Sequence, residues 1–543
     1  MAISDAPLYL KPSVQMEPLF NSWYAWGMLI SPATSAMITA NLHVRVLESY
    51  LQFPDLHRRA VADQAMKGGM FMDYAGALAP VQALLDRTRE GLAGQLVFAV
   101  AVKQLNDLMA AKTDGQSLAG LYDSVPEPLK GYVELVYDLH SRPGFRFVEG
   151  MLYDSAHYDE SLQSVRFSDI ASDARPFVLS SPRFANSHDV DLAIPFRSAL
   201  IERLTALRTT PASRPEIARW LQDAGANADA QQRFLDLMTH VPPQLDALRH
   251  YDGDGVRVRY FGHATVLVQH AGVSILIDPA ISTASEIGVD RFSYYDLPDV
   301  IDYVLLTHNH QDHVMLETLL QLRHKIGCIV VPRSASGPLQ DPSLRLMLRT
   351  IGFRNVIELD EFESLAAGGG EILGLPFFGE HADLDIRSKL AYGIRCAGRW
   401  LVFLADSNAL EPRCYAHMRR RIRDVDVLFI GLECDGAPLS WLYGPLFTKP
   451  IPRAVDQSRR LNSSHCDSAL QIIDRLCPAS VYVYAMGLEP WLGYISSISY
   501  ADDSRPIVES NQLLDRCRAR QLPAERLYAK KEFVLSAVVR DEI

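Results

Sequence analysis

The sequence predicts an α/β chain: a layered domain of alternating strands and helices in the second half, behind a mixed, mainly helical first half. Three observations carry this. With 543 residues the chain far exceeds the ~250–300 at which a single core stops growing, so it must divide. Near His240 the texture changes: segment 239–255 holds two prolines and two glycines, the composition of a connector, which sets domains at 1–245 and 246–543. Beyond it apolar residues recur at the strand period of two, and strands then alternate with helical patterns to the end.

In the first half Ser31-Pro32 reads as an N-cap followed by proline in the first helical turn. Ile38, Leu42, Val46 and Tyr50 then recur every four residues, as a buried stripe does. A second helix is expected over 88–111 and another around 216–223. His43, His57, His140, His157 and His188 stand alone and read as surface or packed residues. With no chemical constellation before residue 250, this half is expected to serve assembly as a homodimer and to shape access to the site. The aromatic opening with Phe20, Trp23, Tyr24 and Trp26 is its interface candidate.

In the second half Val256, Val258 and Tyr260 alternate with Arg257 and Arg259. Residues 265–269 and 273–277 flank Ala271-Gly272 and predict a hairpin. Apolar strands are expected at 300–306, 425–432 and 480–484, with helices at 314–324 and 467–476.

Composition excludes several classes. Apolar runs such as 96–102 and 400–405 fall short of the ~18 residues a membrane span needs. The opening MAISDAPLYL lacks the basic and apolar regions of an export signal. Seven scattered cysteines (Cys328, Cys396, Cys414, Cys434, Cys466, Cys477, Cys517) form no CxxC pair and read as reduced thiols in a cytoplasm. A formal net charge of −12 disfavours nucleic acid as a partner.

The chemistry concentrates in Thr307-His308-Asn309-His310-Gln311-Asp312-His313, directly after an apolar strand. Side-chain direction repeats every two residues in extended chain, so His308 and His310 can share one metal, while Asp312 and His313 are offset towards a second. Three imidazoles and a carboxylate in six residues would each need a partner if merely buried. The next ligand is expected within residues 377–381, at Glu380 or His381, and Asp406 ends an apolar strand where a bridging carboxylate belongs.

The loop resembles the HxHxDH signature of the metallo-β-lactamase superfamily, over roughly residues 256–500. That resemblance implies an αββα sandwich and makes Asp278 the carboxylate that orients the histidine loop. Two departures stand out. The last core strand runs into Ala485-Met486-Gly487 without the histidine that hydrolases carry there, and Glu380 adds a carboxylate. Carboxylate-rich sites with vacant positions suit iron or manganese better than zinc.

The whole chain in turn resembles the di-iron β-hydroxylases of nonribosomal peptide biosynthesis, through residues 9–26, 377–381, 432–439 and Ala485-Met486-Gly487. The resemblance implies one iron on His308, His310 and Glu380, a second on Asp312 and His313, and Asp406 as the bridge. It implies dioxygen as co-substrate, an external electron donor, and an aminoacyl group carried as a thioester on a carrier protein. Glu433, His263 and His465 are further site candidates: Glu433 for a proton relay or substrate contact, His263 to face the pocket or support the ligand loop, His465 to line the pocket. The run Arg419 to Arg423 is read as an exposed helix face, with carrier docking as its alternative. The rival functions are a dinuclear zinc hydrolase of the same fold and a non-catalytic scaffold.

Overall fold

The computed structural model describes residues 6–538 except 64, 65, 67, 113, 247, 248 and 285–287. Residues 1–5 of the opening decapeptide and 247–248 of the connector lie outside the described residues.

The hairpin forms as expected. Val266–His270 pairs with Val273–Ile277, His270 facing Val273. Ala271 and Gly272 take φ of 49° and 76°, the left-handed pair that a two-residue turn requires and that Gly272 tolerates without strain. These strands sit in a seven-stranded sheet whose spatial order is Val356–Leu359, Ile326–Pro332, Ile301–Leu305, Val273–Ile277, Val266–His270, Val256–Tyr260, Lys531–Leu535. A second seven-stranded sheet runs Ser364–Ala367, Gly370–Leu375, Ala391–Cys396, Arg399–Phe403, Val427–Gly431, Ser480–Tyr484, Ala524–Arg526.

Val258, Val268, Ile275 and Leu305 of one sheet share a core with Tyr392, Leu401, Phe403 and Phe429 of the other. Helices Arg413–Ile422, Cys466–Leu476 and Arg505–Ala519 cover the outer face of the second sheet. Leu316–Leu322 and Leu344–Thr350 cover the first. The result is the αββα sandwich.

The first half holds a four-stranded antiparallel sheet ordered Trp23–Tyr24, Val14–Phe20, Gln163–Asp169, Val190–Leu192. Its Val14, Met16, Val165 and Phe167 lie in one core with Leu316 and Leu319 of the second half, so the halves are fused through apolar packing. Ile38, Leu42, Val46 and Tyr50 are buried as their spacing requires. Two expectations need correction. The helix over 88–111 is two helices, Leu78–Gly91 and Ala93–Ala111, parted at Leu92 between the weak helix formers Gly91 and Gly94. Phe20, Trp23, Tyr24 and Trp26 are all buried within the chain, Trp23 stacked on His43 at 3.8 Å, and offer no interface. No helix among the described residues is long and apolar enough to cross a membrane.

The topology also aims the site. Val256–Tyr260, Val273–Ile277 and Ile301–Leu305 point one way in the first sheet. Gly370–Leu375, Arg399–Phe403, Val427–Gly431 and Ser480–Tyr484 do likewise in the second. The segments leaving these strands carry His263, Asp278, His308 to His313, Glu380, Asp406 and Glu433, gathered where α/β sheets place their ligands, at carboxyl ends of strands.

Candidate metal centre

Asp278 organises the histidine loop. Its fully buried carboxylate accepts the Thr307 backbone N–H at 2.8 Å and the Thr307 hydroxyl at 2.6 Å, and lies 2.8 Å from His313 Nδ1. A proton held on His313 Nδ1 leaves Nε2 aimed at the centre. Thr307 Oγ1, its own proton spent on Asp278, is placed to accept from His308 Nδ1 at 3.0 Å, and Nε2 of His308 again faces inward. His310 is turned the other way: Nε2 meets the Tyr443 hydroxyl at 2.9 Å, which leaves Nδ1 facing Glu380 Oε1 at 2.9 Å.

Asp406 lies between the two sets. Its Oδ2 is 3.1 Å from His313 Nε2 and 3.5 Å from His308 Nε2. Three groups of donor atoms converge within 4.8 Å: His308, His310 and Glu380; His308, His313 and Asp406; His263, Asp312 and His313. Burial opposes charge on Asp312 and Glu380, but adjacent imidazoles outweigh it and hold both carboxyls below the usual range. Asp406 is pushed up, first by burial and then by Glu380 and Asp312, against the pull of His313.

These residues fit a pair of cations. His308 Nε2, His313 Nε2, Glu380 Oε2 and Asp406 Oδ1 are buried and make no hydrogen bond of acceptable geometry. Such atoms are costly unless something positive lies between them. Glu380 also holds a left-handed φ of 66°, strain of the kind that persists at functional sites when the surroundings enforce it.

Other candidates take supporting places. His381 Nδ1 lies 2.9 Å from Glu380 Oε2, beside that carboxylate. His263 crosses from the first sheet to Ala485-Met486-Gly487: its Nδ1 accepts the Gly487 N–H at 3.2 Å and its Nε2 stands 3.2 Å from Asp312 Oδ2. An imidazole from another element thus bridges the strand end that lacks a histidine to Asp312 of the metal loop. Glu433 lines the same cavity, its carboxyl pushed well up by burial and then by Asp406, Glu380 and Asp312. His465 is corrected: it is the N-cap of Cys466–Leu476, its ring taking up the Ser468 N–H, and it is not among the cavity-lining residues.

The cavity over the centre measures about 660 Å³. Its walls include Met66, Gly68, Phe177 and Leu179 from the first half, and Trp441 and Arg460 from the second. No local pattern marked these, nor Tyr443, because each reaches the site through tertiary packing alone. The first half also buttresses the histidine loop: a Cβ on Gly27 would stand 2.6 Å from Asn309 Oδ1.

A family model described as the di-iron non-haem β-hydroxylase N-terminal domain matches residues 9–242, and one for the β-lactamase superfamily domain matches residues 274–482. The 4-amino-L-phenylalanyl-[CmlP-peptidyl-carrier-protein] 3-hydroxylase of Streptomyces venezuelae is 37% identical over 527 residues, 96% of this chain and 98% of that one. The crystal structure of CmlA, a di-iron β-hydroxylase from Streptomyces venezuelae, superposes with a TM-score of 0.92 at 36% identity, over 98% of this chain and 100% of that one. A mutant of CmlA gives 0.90 at 35%, over 97% and 100%. Likeness along nearly the whole length, in a chain whose strand ends gather a histidine and carboxylate cluster fit for two metals, makes this protein a member of the di-iron non-haem β-hydroxylases.

Proposed function

We propose that the enzyme hydroxylates the β-carbon of an aminoacyl group held as a thioester on a carrier protein of a nonribosomal peptide synthetase. The observation that carries this reading is 37% identity over 96% of the chain to a relative named for hydroxylating a carrier-bound aminoacyl group. His308, His310 and Glu380 would hold one iron, Asp312 and His313 the other, and Asp406, in reach of a histidine from each set, would bridge them. When bound, the iron pair supplies dioxygen activation: one oxygen atom enters the C–H bond and the other leaves as water, with two electrons and two protons from an external reductant.

The chain's own groups prepare that chemistry. Asp278, Thr307 and Tyr443 fix the imidazole orientations. His263 Nδ1 accepts a backbone N–H, so its Nε2 carries the proton and supports Asp312. Glu433, its carboxyl pushed up by burial and by the neighbouring carboxylates, lines the cavity where it can contact the bound substrate. Met66, Phe177 and Leu179 make residues 1–245 a wall of the substrate cavity, and the same half, which carries none of the metal-site residues, is assigned the assembly of a homodimer. A cytoplasmic location suits the seven free cysteines. The zinc-hydrolase rival is disfavoured, because a hydrolytic pair would cleave the thioester that has to survive.

The test offers reduced, iron-loaded enzyme and oxygen a panel of amino acids, each free and loaded on carrier. A gain of one oxygen on a loaded carrier only, seen by intact-protein mass spectrometry, is expected. Rapid release of unmodified amino acid would make this a thioesterase and end the reading.

A further inference from the structure

The cavity is chemically graded. Its lining grades in burial from the buried carboxylates and imidazoles of the centre, through half-buried Phe177, Leu179 and Trp441, to Arg453, Gln457 and Arg460. Arg453 and Gln457 are exposed and Arg460 is half-buried, which marks that side as the mouth. In Arg453–Ser458 a spacing of four puts Arg453 and Gln457 on one helix face.

These arginines are differently placed from most others in the chain. Arg453 makes no hydrogen bond or ion pair among the described residues. Arg460 is steered by Gln457 Oε1 at 3.1 Å and by Asp435 Oδ1 at 3.4 Å, while its Nε is buried without a partner. Two guanidiniums thus stand at the entrance of a cavity on a chain of net charge −12, one without a protein partner and the other tethered to Gln457 and Asp435 with its Nε left over. An arginine fork matches the oxygens of a phosphate, and a pair outside an apolar passage fits an anion that stays at the mouth while the rest of the molecule goes in.

We propose that Arg453 and Arg460 clamp the phosphodiester of the carrier protein's pantetheine arm. This rests on the carrier-tethered reading above. The arm supplies the matching order of groups: an aminoacyl thioester for the metal end, a pantetheine with its gem-dimethyl carbon for the apolar middle, and a phosphodiester where the arm joins the carrier serine. The clamp fixes how deep the arm runs, and so which carbon reaches the centre. It spends binding energy remote from the reacting atom on position.

The experiment uses the full iron-loaded chain and two probes, pantetheine and its 4′-methyl phosphodiester, with binding read by calorimetry at low salt. Wild type is expected to bind the diester roughly tenfold more tightly, and raised salt to narrow the gap. Arg453→Gln with Arg460→Gln should bring the two probes to parity. Arg453→Gln alone, at an exposed residue whose replacement disturbs no partner, should lose about threefold of the preference even if the double variant folds poorly. Equal affinities in wild type, or a preference undiminished in Arg453→Gln, would overturn the clamp. If the arginines matter for carrier binding while the probes bind alike, carboxylates on the carrier surface are their partners, and the proposal falls. The two readings fail separately: parity of probes with intact hydroxylation of loaded carrier sinks only the clamp, whereas a diester preference without any turnover of loaded carrier sinks the substrate assignment.

Discussion

Two buried regions of this molecule are crowded with charge, and they are built on opposite principles. Where the first half meets the second, Arg175 lies between Glu17 and Glu317, pairing with Glu317 at 2.9 Å, directly with Glu17, and over the Tyr494 ring at 3.4 Å. Arg183 adds a second cation to Glu17 at 3.0 Å. There, charge answers charge and the network is closed. At the centre, imidazole and carboxylate atoms converge but leave Nε2 of His308 and His313 and an oxygen of Asp406 without hydrogen bonds. Burial of charge therefore does not identify function. What identifies it is a set of buried donor atoms whose missing partner is a cation.

The contrast can be broken at the junction with the largest effect. Arg175→Met leaves Glu317 buried without its cation and Glu17 with only Arg183. The expected loss is about 3–5 kcal/mol of stability, read as a lowered urea midpoint, with iron content per folded chain unchanged. Loss of iron at unchanged stability would mean that the junction belongs to the site.

Acid probes the same network. Burial works against charge on Glu17, yet Arg175 and Arg183 outweigh it and hold the carboxyl down to about 2 from 4.5. A carboxylate with a depressed folded value contributes stability above its unfolded value and loses it as pH falls through the folded one. The advantage of wild type over Glu17→Gln should therefore be present above pH 4.5 and shrink by about 3 kcal/mol as pH drops towards 2. A difference independent of pH would show that Glu17 acts through packing. Glu317 behaves oppositely, pushed up by burial although Arg175 pulls it down, so only the paired comparison isolates Glu17.

At the centre, Glu380→Ala should lose iron and cut activity by more than about a hundredfold, whereas His381→Ala, beside that carboxylate, should be milder. Metal analysis decides it: iron lost from the His381 variant and kept in the Glu380 variant would exchange their roles. The smallest effect is expected at His465→Ala, about 1 kcal/mol from a lost helix cap, with the rate of hydroxylation unchanged. A large fall in rate would return His465 to the site.

Legibility in the sequence followed the range of the interactions. The hairpin at 266–277, the buried stripe from Ile38 to Tyr50, the strand before the metal loop and the helix after it were readable because alternation and helical spacing are properties of neighbouring residues. The histidine loop was readable for a related reason: its donors sit within one short segment and have no alternative use there. His465 misled because a histidine just before a helix looks the same whether it faces a cavity or caps that helix. The aromatic opening misled because large apolar side chains serve an interior as readily as an interface.

The sequence by itself determined the αββα layering, the metal loop and the carboxylate-enriched character of its surroundings. Only the tertiary structure decided that Asp278, 35 residues before His313, holds that ring, that Tyr443 holds His310 from 133 residues away, and that His263 bridges the strand end lacking a histidine to Asp312. It alone decided that Met66 and Phe177 line the cavity over the centre from the other half of the chain. The reason is physical: periodicity encodes which face of an element is buried, whereas the partner buried against it is chosen by packing between elements that the chain brings together only when folded.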